Sequence, residues 1–186
     1  MKNQKIHQMV GIAILMAIVV VLQLLGQFIK FGPVSVSLVL LPIVVGAAVY
    51  GPVAGAILGA TFGVVVLSQP DTAFFYGISV FGTVLIVMLK GTLSGWLAGL
   101  CYRALSHKSP SWAAMASAVV CPVVNTAIFF VGCMTFFYNG LVDMAGQNVA
   151  LFVITAFVGF NFLAELALNV LCCPVIVRLL HILRKI

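Results

Sequence analysis

One lysine, Lys90, lies inside the apolar stretch LIVMLKGTLSGW, residues 85–96. A bare ammonium group is costly in hydrocarbon, so a charge within an apolar segment indicates an ion pair or a solute pathway. Three other apolar segments each contain one polar residue of interest, namely Gln23, Asn125 and Glu165. Amides and carboxylates hydrogen bond with ammonium groups, so these four residues could form one polar site.

Counting from the helix ends places these four residues at one depth. Each lies roughly 13 to 15 residues from a charged, polar or aromatic marker at the inner end of its segment, or about 20 Å at 1.5 Å per residue. The markers are Gln8 for Gln23, Arg103 for Lys90, Trp112 for Asn125 and Arg178 for Glu165. The hydrocarbon core is about 30 Å thick, so all four belong to its outer half.

Helical spacing adds Asn161 to the candidate residues of this polar site. Asn161, Glu165 and Asn169 recur every four residues and therefore share one face of a helix. Two interpretations remain open. In one, Lys90 pairs with Glu165 and the amides bond to backbone groups, which locks a helical bundle. In the other, Lys90, Glu165, Asn161, Asn125 and Gln23 line a cavity that binds a polar or anionic solute.

The composition decides the class of protein. The chain has 186 residues, of which 64% are hydrophobic and 6% charged, whereas a soluble domain has roughly 25% charged residues. We therefore predict an all-α integral membrane protein that forms a single transmembrane domain over residues 1–186. The net charge of +6 fits basic residues held on the cytoplasmic side, rather than a nucleic-acid surface.

The apolar segments predict a bundle of six transmembrane helices. Lys2 and Lys5 place the N-terminus inside, and Arg103 also belongs inside, so an even number of spans must separate them. This parity requires a turn at Gly51-Pro52 and two short helices around it. The C-terminus is then cytoplasmic as well. The predicted spans are residues 8–28, 38–50, 53–67, 83–103, 112–137 and 149–178, with outer loops at 68–82 and 138–148.

The chain contains no recognisable catalytic or metal-binding motif. The three histidines lie at predicted cytoplasmic ends, no phosphate-binding loop occurs, and the five cysteines have no zinc-like spacing. We therefore predict no enzyme, no metal and no cofactor. Any energy that drives the protein must come from other subunits.

Three stretches resemble the substrate-binding S component of energy-coupling factor transporters. The first predicted span contains AILMA, with Ala13 and Ala17 four residues apart. The run YGPVAGAILG resembles the family's turn between helices 2 and 3, and LKGTLSGWLAGLCYRAL resembles its fourth helix. The likeness covers nearly the whole chain, and it is closest to the branch of pantothenate, folate and cobalamin carriers.

The resemblance implies an import mechanism in a bacterial or archaeal cytoplasmic membrane. The S component binds a vitamin or similar small molecule from outside. It then docks, through the positions matching Ala13 and Ala17, on a membrane scaffold subunit that two cytoplasmic ATPases drive. The loops at residues 30–37 and 68–82 would cap the ligand. Tyr76, with Phe74 and Phe75, could stack on a ligand ring or form an interfacial aromatic belt.

The prediction of the cargo starts from Lys90, because an ammonium group suits a carboxylate, which pantothenate and folate both carry. Few aromatic residues are expected at the depth of Lys90, which favours a small acyclic acid, so the leading prediction is pantothenate. Folate, cobalamin or another micronutrient are the alternatives. A different class is also possible, in which Lys90 and Glu165 serve a stand-alone proton-coupled secondary transporter.

Overall fold

The computed structural model describes residues 2–26, 39–145, 148–174 and 177–178, and every regular element within these ranges is helical. A π-helical segment covers Val153–Val158, between the last two α-helices. The α-helices are α1 (Lys2–Gly26), α2 (Leu40–Tyr50), α3 (Pro52–Leu67), α4 (Pro70–Ile78), α5 (Val80–Leu105), α6 (Pro110–Thr135), α7 (Tyr138–Ala145), α8 (Val149–Phe152) and α9 (Gly159–Leu171).

Three of the described helices are long and apolar enough to cross a membrane: Lys5–Gly26, Val80–Leu105 and Pro110–Thr135. A fourth crossing results if α3 and α4, which meet at an angle of 81°, count as one broken span. Helix α2 and the stretch Phe162–Leu171 are apolar but shorter. The all-helical membrane class is therefore supported, whereas six crossings and internal termini stay a prediction.

Helices α2 and α3 are separated by a tight turn where the sequence predicts one. Gly51 has φ 94° and ψ 176°, a conformation that L side chains rarely adopt. Its N–H closes α2 by donating to the carbonyl of Ala47 at 3.1 Å. Pro52 begins α3, where its missing N–H costs nothing because the first helical amides have no intrahelical partner.

The tightest packing lies between antiparallel helices α3 and α5. Gly59 contacts Gly91 and Gly55 contacts Gly95 through their backbones, and a Cβ atom at any of these four positions would collide with the opposite carbonyl oxygen. Small residues allow membrane helices to approach this closely. Glycine recurs every four residues at 55, 59 and 63 in α3 and at 91, 95 and 99 in α5. These two glycine ladders pack against each other in one interface, which positions Lys90 on α5.

Two apolar clusters fill the described bundle. The larger contains Ile43, Leu58 and Phe62 together with residues of α5 and α6. The smaller contains Phe75, Phe137 and other residues of α4, α6 and α7. One buried polar contact crosses from α6 to α5, where Ser117 Oγ donates to the Ala98 carbonyl at 2.9 Å. The clusters therefore hold α4 and α6 against the core of the bundle.

The two predicted outer loops are largely helical. Pro70 and Asp71 suit the first turn of α4, where a missing N–H is harmless and a carboxylate meets the positive helix end. Ser79 caps α5 by accepting a hydrogen bond from the Gly82 N–H at 3.2 Å, so α5 begins before the expected residue 83. Helix α7 forms at residues 138–145, where Leu141 is buried.

The last predicted span, residues 149–178, is not one regular α-helix. It contains the π-helical segment, and α9 ends at Leu171. A turn follows at Cys172, and Pro174 supplies no N–H to continue the ladder. The helical prediction is therefore correct in type: α9 itself ends at Leu171, and residues 173–174 and 177–178 beyond the turn are helical as well.

Candidate functional site

A cavity of about 50 Å³ lies between α1, α3, α4, α5 and α6. Its polar lining comes from three regions: the last two turns of α1, the α3–α4 junction, and the N-terminal half of α5. The residues that carry polar groups into it are Gln23, Gln69, Asp71, Thr72, Thr83 and Lys90. Apolar residues that include Phe75, Phe129 and Phe137 complete the wall.

The ammonium group of Lys90 lies over two aromatic rings. Its nitrogen is 5.2 Å from the ring centre of Phe129 on α6 and 5.7 Å from that of Phe62 on α3. Ring faces attract cations most strongly where water is absent. The carboxylate of Glu165, a buried residue on α9, also acts electrostatically on Lys90. The charge of Lys90 is therefore compensated within the bundle while its side chain lines the cavity.

Two buried glutamines that line the same cavity as Lys90 are hydrogen bonded to each other. Gln69 Nε2 donates to the backbone carbonyl of Gln23 at 3.0 Å, so its Oε1 must be the acceptor. That oxygen receives a hydrogen bond from Gln23 Nε2 at 2.8 Å. The network thereby fixes both amide orientations. Gln23 Oε1 is left buried, with no hydrogen-bond partner among the described residues.

Helix α4 is fastened over the cavity by its first two turns. Thr72 Oγ1 donates to the carbonyl of Val66 at 2.6 Å, and Tyr76 Oη donates to that of Leu67 at 3.0 Å. Both carbonyls belong to the last turn of α3, which has no intrahelical donors to satisfy them. Together with Gln69, these bonds hold α4 across the C-terminal end of α3.

Glu165 belongs to a second polar cluster deeper in the bundle. Cys121 on α6 is buried near Ser94, and it interacts electrostatically with Glu165. Ser94 donates to the Gly91 carbonyl at 2.8 Å, and Asn169 Nδ2 donates to the Glu165 backbone carbonyl at 2.9 Å. This cluster connects α5, α6 and α9 behind Lys90.

The structure brings together part of the predicted site. Gln23 and Lys90 line the same cavity. Glu165 does not line this cavity, although its carboxylate acts electrostatically on Lys90. Asn125 is buried on α6 but does not line this cavity. Tyr76 is half-buried and is bonded to α3 instead. The side chain of Asn161 and the loop at residues 30–37 lie outside the part of the chain that the structure describes.

Sequence reasoning missed most of the cavity wall. The sequence analysis places Gln69 in an outer loop and does not assign Phe129 or Phe137 to the site. It names Phe75 only as a residue that could stack on a ligand ring or belong to an interfacial belt. The expectation of few aromatic partners is wrong, because Phe62 and Phe129 flank the ammonium group and Phe75 and Phe137 add to the aromatic surroundings. One signal was available, since Phe129 lies one helical turn beyond Asn125.

The predicted docking face on α1 points away from the bundle. Ala13 and Ala17 are both exposed, as are Ile14 at 57% and Ile18 at 40%. Only 17% of the apolar part of α1 is buried. The two alanines therefore do not serve packing within the described bundle, and a small-residue stripe remains open to another helix.

No curated protein sequence matches the chain. The family described as ECF transporter, substrate-specific component, matches residues 7–177, which is nearly the whole sequence. The cavity, the exposed face of α1 and this match agree, and the chain belongs to the family of substrate-specific components of energy-coupling factor transporters.

Proposed function

We propose that this membrane subunit captures a carboxylate-bearing vitamin or vitamin precursor from outside the cell and delivers it inward. Members of its family are substrate-binding subunits of transporters and do not catalyse a reaction themselves. The observation that carries the proposal is the cavity that Lys90 and Gln23 line together, which combines a half-buried ammonium group with a buried amide oxygen. The cell membrane would be that of a bacterium or archaeon.

Lys90 supplies the attraction for the cargo. Its ammonium group has three N–H donors. The ring faces of Phe62 and Phe129 attract the positive charge, but they offer no oxygen atom that could accept a hydrogen bond from these donors. A carboxylate entering the cavity would form a charge-assisted hydrogen bond, which is about twice as strong as a neutral one. Glu165 then stabilises the charged form of Lys90 when the cargo is absent.

Access to the cavity requires α4 to move. A volume of about 50 Å³ is far below the roughly 300–1,000 Å³ of pockets for drug-sized ligands. Helix α4 covers the site and is held by a few side-chain bonds, whereas α3 and α5 are joined along their glycine interface. We infer that α4 opens to admit the cargo and closes after binding.

Pantothenate and folate both meet the requirement for a carboxylate. The sequence favours pantothenate on the expectation of an aliphatic site, but Phe75, Phe129 and Phe137 remove that reason. Lys90 alone does not distinguish the two acids. Cobalamin, a much larger molecule, would require a greater expansion of the cavity.

Energy and docking would come from partner subunits. We propose that the exposed alanines Ala13 and Ala17 contact a membrane scaffold subunit, which carries two cytoplasmic ATPases. Small side chains leave a flat helix face on which another helix can pack closely. The six-crossing topology with both termini inside belongs to this proposal, and it rests on the parity of basic residues around the turn at Gly51.

Reconstituted vesicles test this function. The full chain would be inserted with its scaffold and ATPase subunits, and uptake of radiolabelled pantothenate and folate would be measured. Uptake of either acid that requires both ATP and the partner subunits is expected. Uptake that a pH gradient drives in vesicles without the partners would contradict the proposal and identify a secondary transporter.

A further inference from the structure

We infer that Phe62 and Phe129 are positioning residues, which hold the ammonium group of Lys90 by their ring faces and thereby set the affinity for a carboxylate cargo. This inference rests on the proposed function, because the carboxylate is the group that Lys90 would bind. Neither ring needs to touch the cargo in order to act on its binding.

Phe129 brings a ring from α6 to the cavity wall. The Lys90 nitrogen lies over this ring, 5.2 Å from its centre, which is inside the roughly 6 Å over which a ring face attracts a cation. An edge-to-face contact with Phe75, with ring centres 5.6 Å apart and ring planes at 82°, orients the Phe129 ring. Since Lys90 and Phe129 both line the cavity, the ring holds the ammonium group beside the space that a cargo would enter.

Phe62 brings a second ring from α3, and it is not one of the described residues that line the cavity. The Lys90 nitrogen lies 5.7 Å from the centre of this ring. Phe62 is fully buried in the larger apolar cluster, and a Cβ atom added at Gly91 would lie 3.3 Å from its Cδ1 atom. The close contact of α3 with α5 therefore keeps this ring beside Lys90.

The two ring faces act on a side chain that is otherwise free to move. The ammonium group of lysine is carried on a flexible four-carbon stem, so it can occupy several positions unless something holds it. Each ring face should favour the observed position by about two- to thirtyfold, which is the usual strength of a cation–π contact. A cargo that requires this position binds with an affinity proportional to the fraction of the chain that has it. Weakening either ring should therefore weaken the binding of the cargo.

Fluorination of the two rings tests the inference with little change in their size. Phe129 would be replaced by 4-fluoro-, 3,5-difluoro- and 3,4,5-trifluorophenylalanine, because each added fluorine reduces the negative charge of the ring face that attracts a cation. The same series would be made at Phe62. Dissociation constants of pantothenate and of folate would be measured by isothermal titration calorimetry on the purified full chain in mild detergent.

We expect the dissociation constant of the acid that binds to rise with each added fluorine, and to rise at least about threefold for the trifluorinated ring at either position. The series at Phe62 separates positioning from direct contact, because this ring does not line the cavity and acts on the cargo through Lys90. A trend at Phe129 alone would overturn the role of Phe62. Unchanged or tighter binding in both series would overturn the whole inference, since tighter binding means that the rings compete with the cargo.

The matched control is the same fluorinated series at Phe136, which lies at the end of α6. This residue is exposed, and its ring pairs with that of Phe81 at 6.3 Å. Its fluorination should leave the dissociation constant within twofold of the wild-type value. A trend at Phe136 as large as that at Phe129 would show a general effect of fluorine and would overturn the inference.

Nuclear magnetic resonance of the lysine-labelled full chain gives a readout that needs no cargo. Protons above a ring face resonate upfield, so the ε-methylene protons of Lys90 should lie upfield of those of the exposed Lys108. Folded Phe129→Leu should move them toward the Lys108 position. Equal positions of the two lysines in the wild-type chain would overturn the inference. If the upfield shift is present but neither acid binds, the proposed function fails for these acids, whereas the holding of Lys90 by the rings stands.

Discussion

Replacing Gly59 with alanine tests the contact between α3 and α5 that positions Lys90. A Cβ atom at residue 59 would lie 2.6 Å from the carbonyl carbon of Gly91, whereas ordinary contact begins at 3.4 Å. It would also collide with the Gly91 carbonyl oxygen. Since both neighbours are backbone atoms, no side chain can turn aside, and the two helices must separate by most of an ångström.

The cost of this separation follows from overpacking a close contact, which is about 1–3 kcal/mol. For a chain of this size, 1 kcal/mol lowers the melting midpoint by roughly 2–4 °C. We therefore expect Gly59→Ala to melt roughly 2–12 °C below a variant without the collision. The assay is thermal unfolding of the full chain in mild detergent, followed through the fluorescence of Trp96 on α5 and Trp112 on α6.

The matched control is Gly77→Ala on α4, where an added Cβ atom meets nothing within 4 Å. Both substitutions exchange a helical glycine for alanine and gain about 1 kcal/mol of helix propensity. The difference between the two midpoints therefore isolates the collision. Equal midpoints for Gly59→Ala and Gly77→Ala would refute the close approach of α3 and α5.

Two further predictions concern α1 and α4. Ala13→Trp and Ala17→Trp should leave cargo binding unchanged but abolish ATP-dependent uptake, because a bulky ring blocks the docking face. The control Val131→Trp, at an exposed position on α6, should retain uptake. Normal uptake in both alanine variants would disprove the docking assignment. Gln69→Leu removes both hydrogen bonds to Gln23 and should speed hydrogen exchange of the α4 amides at least about fivefold. The control Ser68→Ala, which removes an exposed hydrogen bond, should leave this exchange rate unchanged. An unchanged rate in Gln69→Leu would show that the Gln23–Gln69 bonds do not hold α4.

The sequence predicted the features that depend on one helix at a time. The turn at Gly51-Pro52 follows from local chemistry, because glycine adopts positive φ and proline begins a helix. Counting residues along a helix predicts that Gln23 and Lys90 have the same height, and both residues line one cavity. Both results need only the rise per residue and the preferences of single residues.

The sequence failed where the direction around a helix decides the outcome. Asn125 is buried yet does not line this cavity, because equal height does not imply equal facing. The π-helical segment before α9 rotates the faces that follow it, which a count at 3.6 residues per turn does not anticipate. Gln69 was missed because its role depends on a partner 46 positions away in the chain.

The glycine ladders show the same limit in another way. Their four-residue spacing predicts close packing, but spacing alone does not name the partner helix. The structure shows that Gly55 and Gly59 on α3 face Gly95 and Gly91 on α5. Because the interface is antiparallel, it places Lys90 beside Phe62, an aromatic contact that no single-helix pattern contains.

Native mass spectrometry of the purified chain tests the central claim most directly, namely that Lys90 binds the cargo. Wild-type chain from cells grown in rich medium should retain a bound small molecule. Lys90→Met should lose it while melting within a few degrees of the wild type, and Lys108→Met, at an exposed position, should keep it. Retention of the same molecule at wild-type occupancy by folded Lys90→Met would contradict the account.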